Sequence, residues 1–194
     1  MELLRKTITD RNDHRNDNGD KKPLFTKDLH PHIASFHREQ WAFITNETIK
    51  ENIAYQMQYL EFMICLYNEY QIYLTVESLI CKDVMVIVAG VVEATLFDLI
   101  ESARKTMNMP MEDRTDFTTL LGMGYHEYGL LTKDQWHFFH DLRKVRNYVH
   151  LKAADFKEYA GYTVDEANDC IKKLKEFREG VEQRRNGNLR QHPK

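Results

Sequence analysis

Residues Val84 to Ile100 read VMVIVAGVVEATLFDLI, a run that is apolar on nearly every side when wound into a helix. Such a helix has to be surrounded by other helices. The β-branched residues of the run would also suit a strand, but its length and the helical spacing of its last apolar residues favour a helix. We therefore predict a long buried central helix over Thr75–Met107, ended by Pro110.

Two helices are predicted before this run. Pro31 suits the first turn of a helix over Pro31–Ile44, with Ile33, Phe36 and Ile44 on its apolar face. In the next segment apolar residues follow one another at steps of three and four, which is typical of one helix face. The members of that face are Ile49, Ile53, Met57, Leu60, Ile64 and Tyr67. Thr48 and Glu51 have the spacing of a capping box at its start.

Two further helices are predicted after the central one. Three glycines indicate a flexible connection first, namely Gly122, Gly124 and Gly129. Thr132 and Gln135 have capping-box spacing and begin a helix that runs to about Leu151. Its apolar stripe consists of Phe138, Leu142, Val145 and Val149.

The last part of the chain begins with a loop or short helix that contains Phe156 and Tyr159. Thr163 and Glu166 then cap a final helix. The core face of that helix consists of Val164, Ala167, Ile171, Leu174 and Val181. The predicted fold class is all-α, a bundle of about five to six helices. We predict a disordered polar leader over residues 1–24, a helical domain over 25–184 and a polar tail over 185–194.

The composition excludes several classes of protein. A formal net charge of −3 over 194 residues argues against a nucleic-acid coat over the whole surface, but allows a local basic site. Cys65, Cys81 and Cys170 are too few and too scattered for a disulfide framework, which favours buried thiols in a reducing cytosol. There is no secretory signal pattern, and no apolar run approaches the ~20 residues that span a bilayer. We predict a cytoplasmic protein without membrane contact.

The helix that ends near Leu151 has a polar stripe beside its apolar one. His140, Arg143, Asn147 and His150 follow one another at steps of three, four and three, so their side chains can point the same way. An arginine matches the geometry of a phosphate, and a histidine can exchange a proton near neutral pH. These are the parts needed to cleave an RNA phosphodiester without a metal.

The same segment, Leu142–His150, resembles the signature helix of HEPN domains. Those domains have an arginine, four to six further residues and then a histidine. Arg143 and His150 enclose six residues and fit the long version of this pattern. The Arg146-Asn147 pair also resembles the family, but Arg146 lies only four positions before His150, which is shorter than the usual spacing. The pattern therefore leaves open which arginine takes the family role.

A second part of the resemblance is the central helix, where residues 89–94 are similar to the long HEPN core helix. Together the two parts cover roughly Glu47 to Gly180. HEPN domains are helical bundles, often dimeric, and many are metal-independent RNases or toxins in bacterial defence. The resemblance thus implies an endoribonuclease, a toxin or antiviral effector, that needs neither cofactor nor metal. RNA would be its substrate, and an antitoxin or regulatory protein a further partner.

The resemblance and the stripe together give the candidate site. The expected catalytic residues are Arg143, His150 and Asn147, and the expected substrate-binding residues are Arg146, Lys144 and His140. One histidine serves as base or as acid, so we expect a homodimer in which the second chain supplies the other group. The alternative function is that of a non-catalytic interaction or sensor module, which uses the same fold to bind a protein or a nucleotide.

Two further polar features need an explanation. Glu93 lies inside the apolar central helix, and a buried carboxylate needs a partner, for which an arginine of the motif helix is the candidate. The alternative is that Glu93 reaches the edge of the bundle and is solvated. The tyrosines around the second helix are predicted to lie in the core and at its rim rather than to form a stacking array; they are Tyr55, Tyr59, Tyr67, Tyr70 and Tyr73.

Overall fold

The structure is a computed structural model that describes residues 31–109, 111, 115–147 and 161–186, with the backbone alone at residues 147, 185 and 186. These residues form six helices and no strand. The helices are α1 (Ala34–Gln40), α2 (Glu47–Glu69), α3 (Leu74–Thr106), α4 (Phe117–His126), α5 (Lys133–Asn147) and α6 (Val164–Asn186). The predicted all-α class is confirmed. The predicted leader over residues 1–24, the segment with Phe156 and Tyr159, and residues 187–194 of the tail lie outside the described residues.

Helix α3 is the central helix, and its bounds differ from the predicted ones by one residue at each end. Helices α2, α4, α5 and α6 all pack against it. Buried side chains consequently occur on every side of α3, and Val88, Val92, Leu96 and Ile100 are fully buried. The apolar pattern of the sequence is therefore explained by burial against four neighbouring helices.

Pro110, which was predicted to end α3, lies outside the described residues. Within them, α3 ends at Thr106, and the chain changes direction at Asn108. Asn108 has a φ of 54°, in the left-handed region that asparagine tolerates better than most residues. The Asn108 N–H donates to the Lys105 carbonyl at 3.2 Å, and the Met109 N–H donates to the Arg104 carbonyl at 2.9 Å. These bonds satisfy carbonyl groups that the last turn leaves without helical partners.

The region before α2 differs from the prediction in two ways. Helix α1 is shorter than Pro31–Ile44, and Ile33 and Phe36 are exposed rather than part of the core. The core residues of this segment are Trp41 and Phe43, in the turn that follows α1, and Ile44 directly after it. The apolar spacing was misleading because the chain turns before the third residue of the supposed face.

The start of α2 is a second correction. Asn46, rather than Thr48, is the N-cap, and its side-chain oxygen accepts hydrogen bonds from the backbone N–H groups of Thr48 (3.0 Å) and Ile49 (3.2 Å). Asparagine is at least as good an N-cap as threonine. The predicted Thr48–Glu51 capping box is therefore wrong.

Two polar side chains on α3 bind segments that precede its neighbouring helices. Asp98, which is 1% exposed, accepts hydrogen bonds from Thr45 N (2.8 Å), Thr45 Oγ1 (3.0 Å) and Asn46 N (2.8 Å). Ser78 Oγ accepts one from the Tyr162 N–H at 3.2 Å, just before α6. Backbone groups that would otherwise be buried without partners are thus satisfied from the central helix.

Gly122 and Gly124 lie inside α4, so the flexible connection predicted there is wrong. A Cβ atom at Gly124 would lie 3.0 Å from Leu96 Cδ2. Gly124 therefore permits a close approach of α4 to α3. Only Gly129, with a φ of 60°, has the conformation for which a glycine is needed in a turn.

The capping boxes of α5 and α6 are confirmed. The Thr132 N–H donates to Gln135 Oε1 at 3.0 Å, and the Gln135 N–H donates to Thr132 Oγ1 at 3.2 Å. The Thr163 and Glu166 pair is reciprocal in the same way, at 2.9 and 3.3 Å. Leu142 on α5 and three of the predicted residues on α6 are buried, namely Ala167, Leu174 and Val181. The core also contains residues that the prediction omitted, and these are Phe139, Cys170 and Phe177.

All three cysteines are free thiols. Cys81 and Cys170 are buried, as predicted, whereas Cys65 is half-buried. Burial raises the pKa of Cys170 to about 12, so this thiol stays protonated at neutral pH. None of the helices in the described residues combines the length and the apolar character needed to cross a bilayer.

Candidate functional site

The C-terminal half of α5 lies against the first turn of α4. Arg143 and Arg146, one turn apart on α5, contact two consecutive residues of that turn, Thr118 and Phe117. Both guanidinium groups are therefore positioned by the same short piece of α4. His150 lies outside the described residues, and so does the Val149 of the predicted apolar stripe.

Arg146 is the arginine that pairs with the central helix. Its Nη1 lies 2.6 Å from Glu93 Oε2, and the two side chains are 40% and 23% exposed. The guanidinium also lies 6.0 Å from the centroid of the Phe117 ring, within the range of a cation–π contact. The predicted pairing of Glu93 with an arginine of this helix is confirmed.

Arg143 has a different environment. It is half-buried, and its Nη1 donates a hydrogen bond of 2.6 Å to Thr118 Oγ1. Its Nε is buried and has no hydrogen-bond partner among the described residues. A hydroxyl group does not neutralise a guanidinium, and several N–H donors of Arg143 remain for a ligand.

Arg143 interacts electrostatically with Asp116, the N-cap of α4. Its side chain accepts a hydrogen bond from the Thr119 N–H at 2.7 Å. The pKa of Asp116 is lowered, mainly by this backbone bond and to a smaller extent by the charge of Arg143. The Asp116 carboxylate is thus hydrogen-bonded to the first turn of α4 and interacts electrostatically with Arg143.

The other predicted substrate-binding residues are less constrained. Lys144 is exposed and pairs with Asp141 on the same helix, with 2.9 Å between Nζ and Oδ1. His140 is half-buried, and its ring centroid lies 5.6 Å from that of Trp136. Asn147 is the last residue of α5, and its side chain is not among those that the structure describes. Arg143, Arg146 and His140 therefore lie on the same part of α5, and His150 lies outside the described residues.

Two contributors were missed by the sequence interpretation. Thr118 gave no signal, because nothing in the sequence says that it faces Arg143. Trp136 could have been found, since it precedes His140 by four residues and so extends the polar stripe by one turn. Among the described residues, no group of three or more His, Cys, Asp or Glu side chains is arranged to hold a metal ion.

Comparison of the chain with models of protein families, with curated proteins and with solved structures gives no match. The resemblance to HEPN domains accordingly stays a prediction from the sequence, based on residues 142–150 and 89–94.

Proposed function

We propose that the protein is a metal-independent endoribonuclease of the HEPN type. In this proposal Arg143 is the guanidinium that binds the scissile phosphate, and His150 transfers the proton. Arg146 positions α5 against α3 rather than acting on the substrate. The proposal chooses between the two arginines that the motif leaves open.

The observation that supports this choice is the difference between their partners. Arg146 is paired with the carboxylate of Glu93 at 2.6 Å, so its charge is already compensated. Arg143 donates to the neutral hydroxyl of Thr118 and interacts electrostatically with Asp116, a carboxylate that also accepts from the Thr119 N–H. Its charge is therefore less fully compensated than that of Arg146, and it can bind an anionic ligand. A preorganised cation of this kind stabilises the negative charge that develops on a pentacoordinate phosphorus.

The reaction would be an attack by a ribose 2′-oxygen on the adjacent phosphorus. The 2′-hydroxyl loses its proton to a base, the new O–P bond forms, and the bond to the 5′-oxygen breaks. An acid protonates that 5′-oxygen, so the products are a 2′,3′-cyclic phosphate and a 5′-hydroxyl end. His150 can serve as the base or as the acid, and His150 of a second copy would supply the other role.

The test is cleavage of total cellular RNA by purified protein in the presence of EDTA, with mapping of both product ends. Arg143→Ala and His150→Ala should each lower the rate by about 10²–10⁴-fold without changing helicity. The matched control is Arg38→Ala, which removes an exposed cation on α1 that pairs with Glu47 and Glu51. Activity that survives in both variants, or that is lost in the control, would contradict the proposal.

The alternative is the non-catalytic interaction module. It is favoured by one observation, the pairing of Arg146 with Glu93, because that arginine acts as part of the scaffold. Wild-type protein that is folded and cuts no cellular RNA, after any bound partner has been removed, would establish this alternative instead.

A further inference from the structure

A cluster of aromatic rings surrounds Trp136 where α5 packs beside α4. Tyr125 is stacked on Trp136, with 5.6 Å between ring centroids and 28° between planes. Three imidazole rings complete the cluster, with centroids between 4.7 and 5.9 Å from that of Trp136, and they belong to His126, His137 and His140. We name these five residues the Trp136 cluster.

The Trp136 cluster is only partly built into the core. Trp136 and Tyr125 are half-buried and pack against the core on one side, whereas His126 and His137 are exposed. By contrast, Trp41, the second tryptophan of the chain, is 1% exposed and belongs wholly to the core. The cluster therefore offers aromatic surface to a ligand that Trp41 cannot offer.

The cluster continues directly into the proposed phosphate site. Trp136, His140 and Arg143 are spaced by four and three residues, so they lie along one face of α5. Trp136 and Arg143 are about 10 Å apart along the helix axis, at 1.5 Å per residue. A single bound strand can therefore contact an aromatic ring and the guanidinium together.

Two acidic residues on the same helix as Trp136 are paired with lysines, one of which is shared with Glu176. Asp141 pairs with Lys144 at 2.9 Å, and Asp134 pairs with Lys173 of α6 at 2.5 Å. The pKa values of both carboxyl groups are lowered, in each case chiefly by the lysine. These two lysines reduce the negative charge that a polyanion would meet next to the rings.

We infer that the Trp136 cluster is a subsite that stacks an unpaired base of single-stranded RNA beside the phosphate held by Arg143. This inference rests on the proposed function and adds a substrate class to it. Stacking on aromatic rings is tolerant of sequence, since every base has a π-face, and it requires bases that are not already stacked in a duplex. The enzyme would therefore select single strands and accept many sequences.

The test uses fluorescence, because Trp136 is one of only two tryptophans and the other is buried. The probe is a short oligoribonucleotide that cannot pair with itself, titrated into the His150→Ala protein so that no cleavage occurs. Binding should quench the Trp136 emission, which is the signal lost in the additional variant Trp136→Phe. The same strand annealed to its complement should bind more weakly and quench less.

Affinity is measured in parallel by fluorescence anisotropy of a labelled strand. Trp136→Ala should weaken binding by about 5- to 150-fold, the range for losing one base stack, whereas Trp136→Phe should retain most of the affinity. Thermal melting of each variant shows whether it is folded. The quenching titration itself uses the His150→Ala protein, in which Trp136 is intact. Saturating binding without quenching, or equal affinity for single and double strands, would overturn the inference.

The two proposals fail in different ways. Quenching and single-strand preference in a wild-type protein that cuts no RNA would leave the stacking subsite standing and remove the nuclease. Cleavage that depends on Arg143 and His150 but is unchanged in Trp136→Ala would keep the nuclease and remove the subsite.

Discussion

Arg143 and Arg146 lie three positions apart in the chain, and their removal should destabilise the protein by different amounts. Arg146→Ala leaves Glu93, which is 23% exposed, without its ion-pair partner. We expect the free energy of unfolding to fall by about 1–2 kcal/mol. Arg143→Ala leaves the Thr118 hydroxyl without a donor and removes the electrostatic interaction with Asp116. Its effect should stay below about 1 kcal/mol, because Asp116 keeps its hydrogen bond from the Thr119 N–H.

Urea denaturation of both variants measures this difference. The variant Glu93→Gln is the control, because it removes the same pair from the other side and should approach the loss seen in Arg146→Ala. A larger loss in Arg143→Ala than in Arg146→Ala would show that the structural and the ligand-binding roles are exchanged.

Gly122 and Gly124 are a matched pair of helical glycines with different surroundings. A Cβ at Gly122 would meet nothing within 4 Å, so Gly122→Ala should stabilise the protein by about 0.5–1 kcal/mol, the usual gain of alanine in a helix. A Cβ at Gly124 would lie 3.0 Å from the fully buried Leu96 side chain. Gly124→Ala should therefore destabilise by about 1 kcal/mol or more.

The melting temperatures of the two single variants, compared with that of the wild-type protein, measure both effects. Stabilisation by both substitutions would mean that Leu96 can move aside, and that α4 does not depend on a glycine at its contact with α3.

At the scale of the helices, local signals were sufficient in some places and not in others. The capping boxes at Thr132 and Thr163 depend on side chains three residues apart, and both were predicted correctly. Helix α4 was missed because its two glycines are typical of loops, and the reason for Gly124 is its contact with Leu96. That contact is between distant parts of the chain, and no local pattern contains it.

The junction between α1 and α2 should depend strongly on Asp98. Asp98→Ala would leave the Thr45 and Asn46 backbone N–H groups without their acceptor. We expect a loss of about 3 kcal/mol, since a hydrogen bond to a charged group is worth roughly 1.5–3 kcal/mol and donors lose their partner as well. The loss is measured as the midpoint of chemical denaturation.

Ser102→Ala is the neighbouring control. Ser102 Oγ lies 2.9 Å from Thr45 Oγ1 at an exposed position, so its removal should cost less than about 1 kcal/mol. Equal losses in the two variants would mean that the junction is held by packing of Trp41 and Ile44 rather than by the carboxylate.

At the scale of the whole molecule, the sequence indicated more of the fold than of the site. Helical periodicity marked α3 because burial on all sides produces an unmistakable apolar run. The sequence interpretation identified the pairing of Glu93 with an arginine of the motif helix, whereas the catalytic and substrate-binding roles of Arg143 and Arg146 stay predictions. It did not identify Thr118 or the rings of α4, because their approach to α5 depends on how the helices pack.

The dimer proposed for the nuclease has a quantitative consequence. If the base and the acid are the His150 residues of two chains, one His150→Ala subunit should inactivate the dimer that contains it. In co-expressed mixtures the activity should then fall with the square of the wild-type fraction. A linear fall, or a monomer by light scattering at tens of micromolar (roughly tenfold or more above a micromolar dimer constant), would exclude the shared site.

The polar side chains of α3 also determine how the bundle is aligned. Hydrophobic contact has no preferred direction, so a nearly all-apolar helix would let a neighbour slide by one turn, about 5.4 Å, at little cost. Ser78, Glu93 and Asp98 prevent this, because each binds a different segment, the start of α6, α5 and the start of α2. We expect apolar residues at all three positions to leave a collapsed bundle with several alignments in place of a single one.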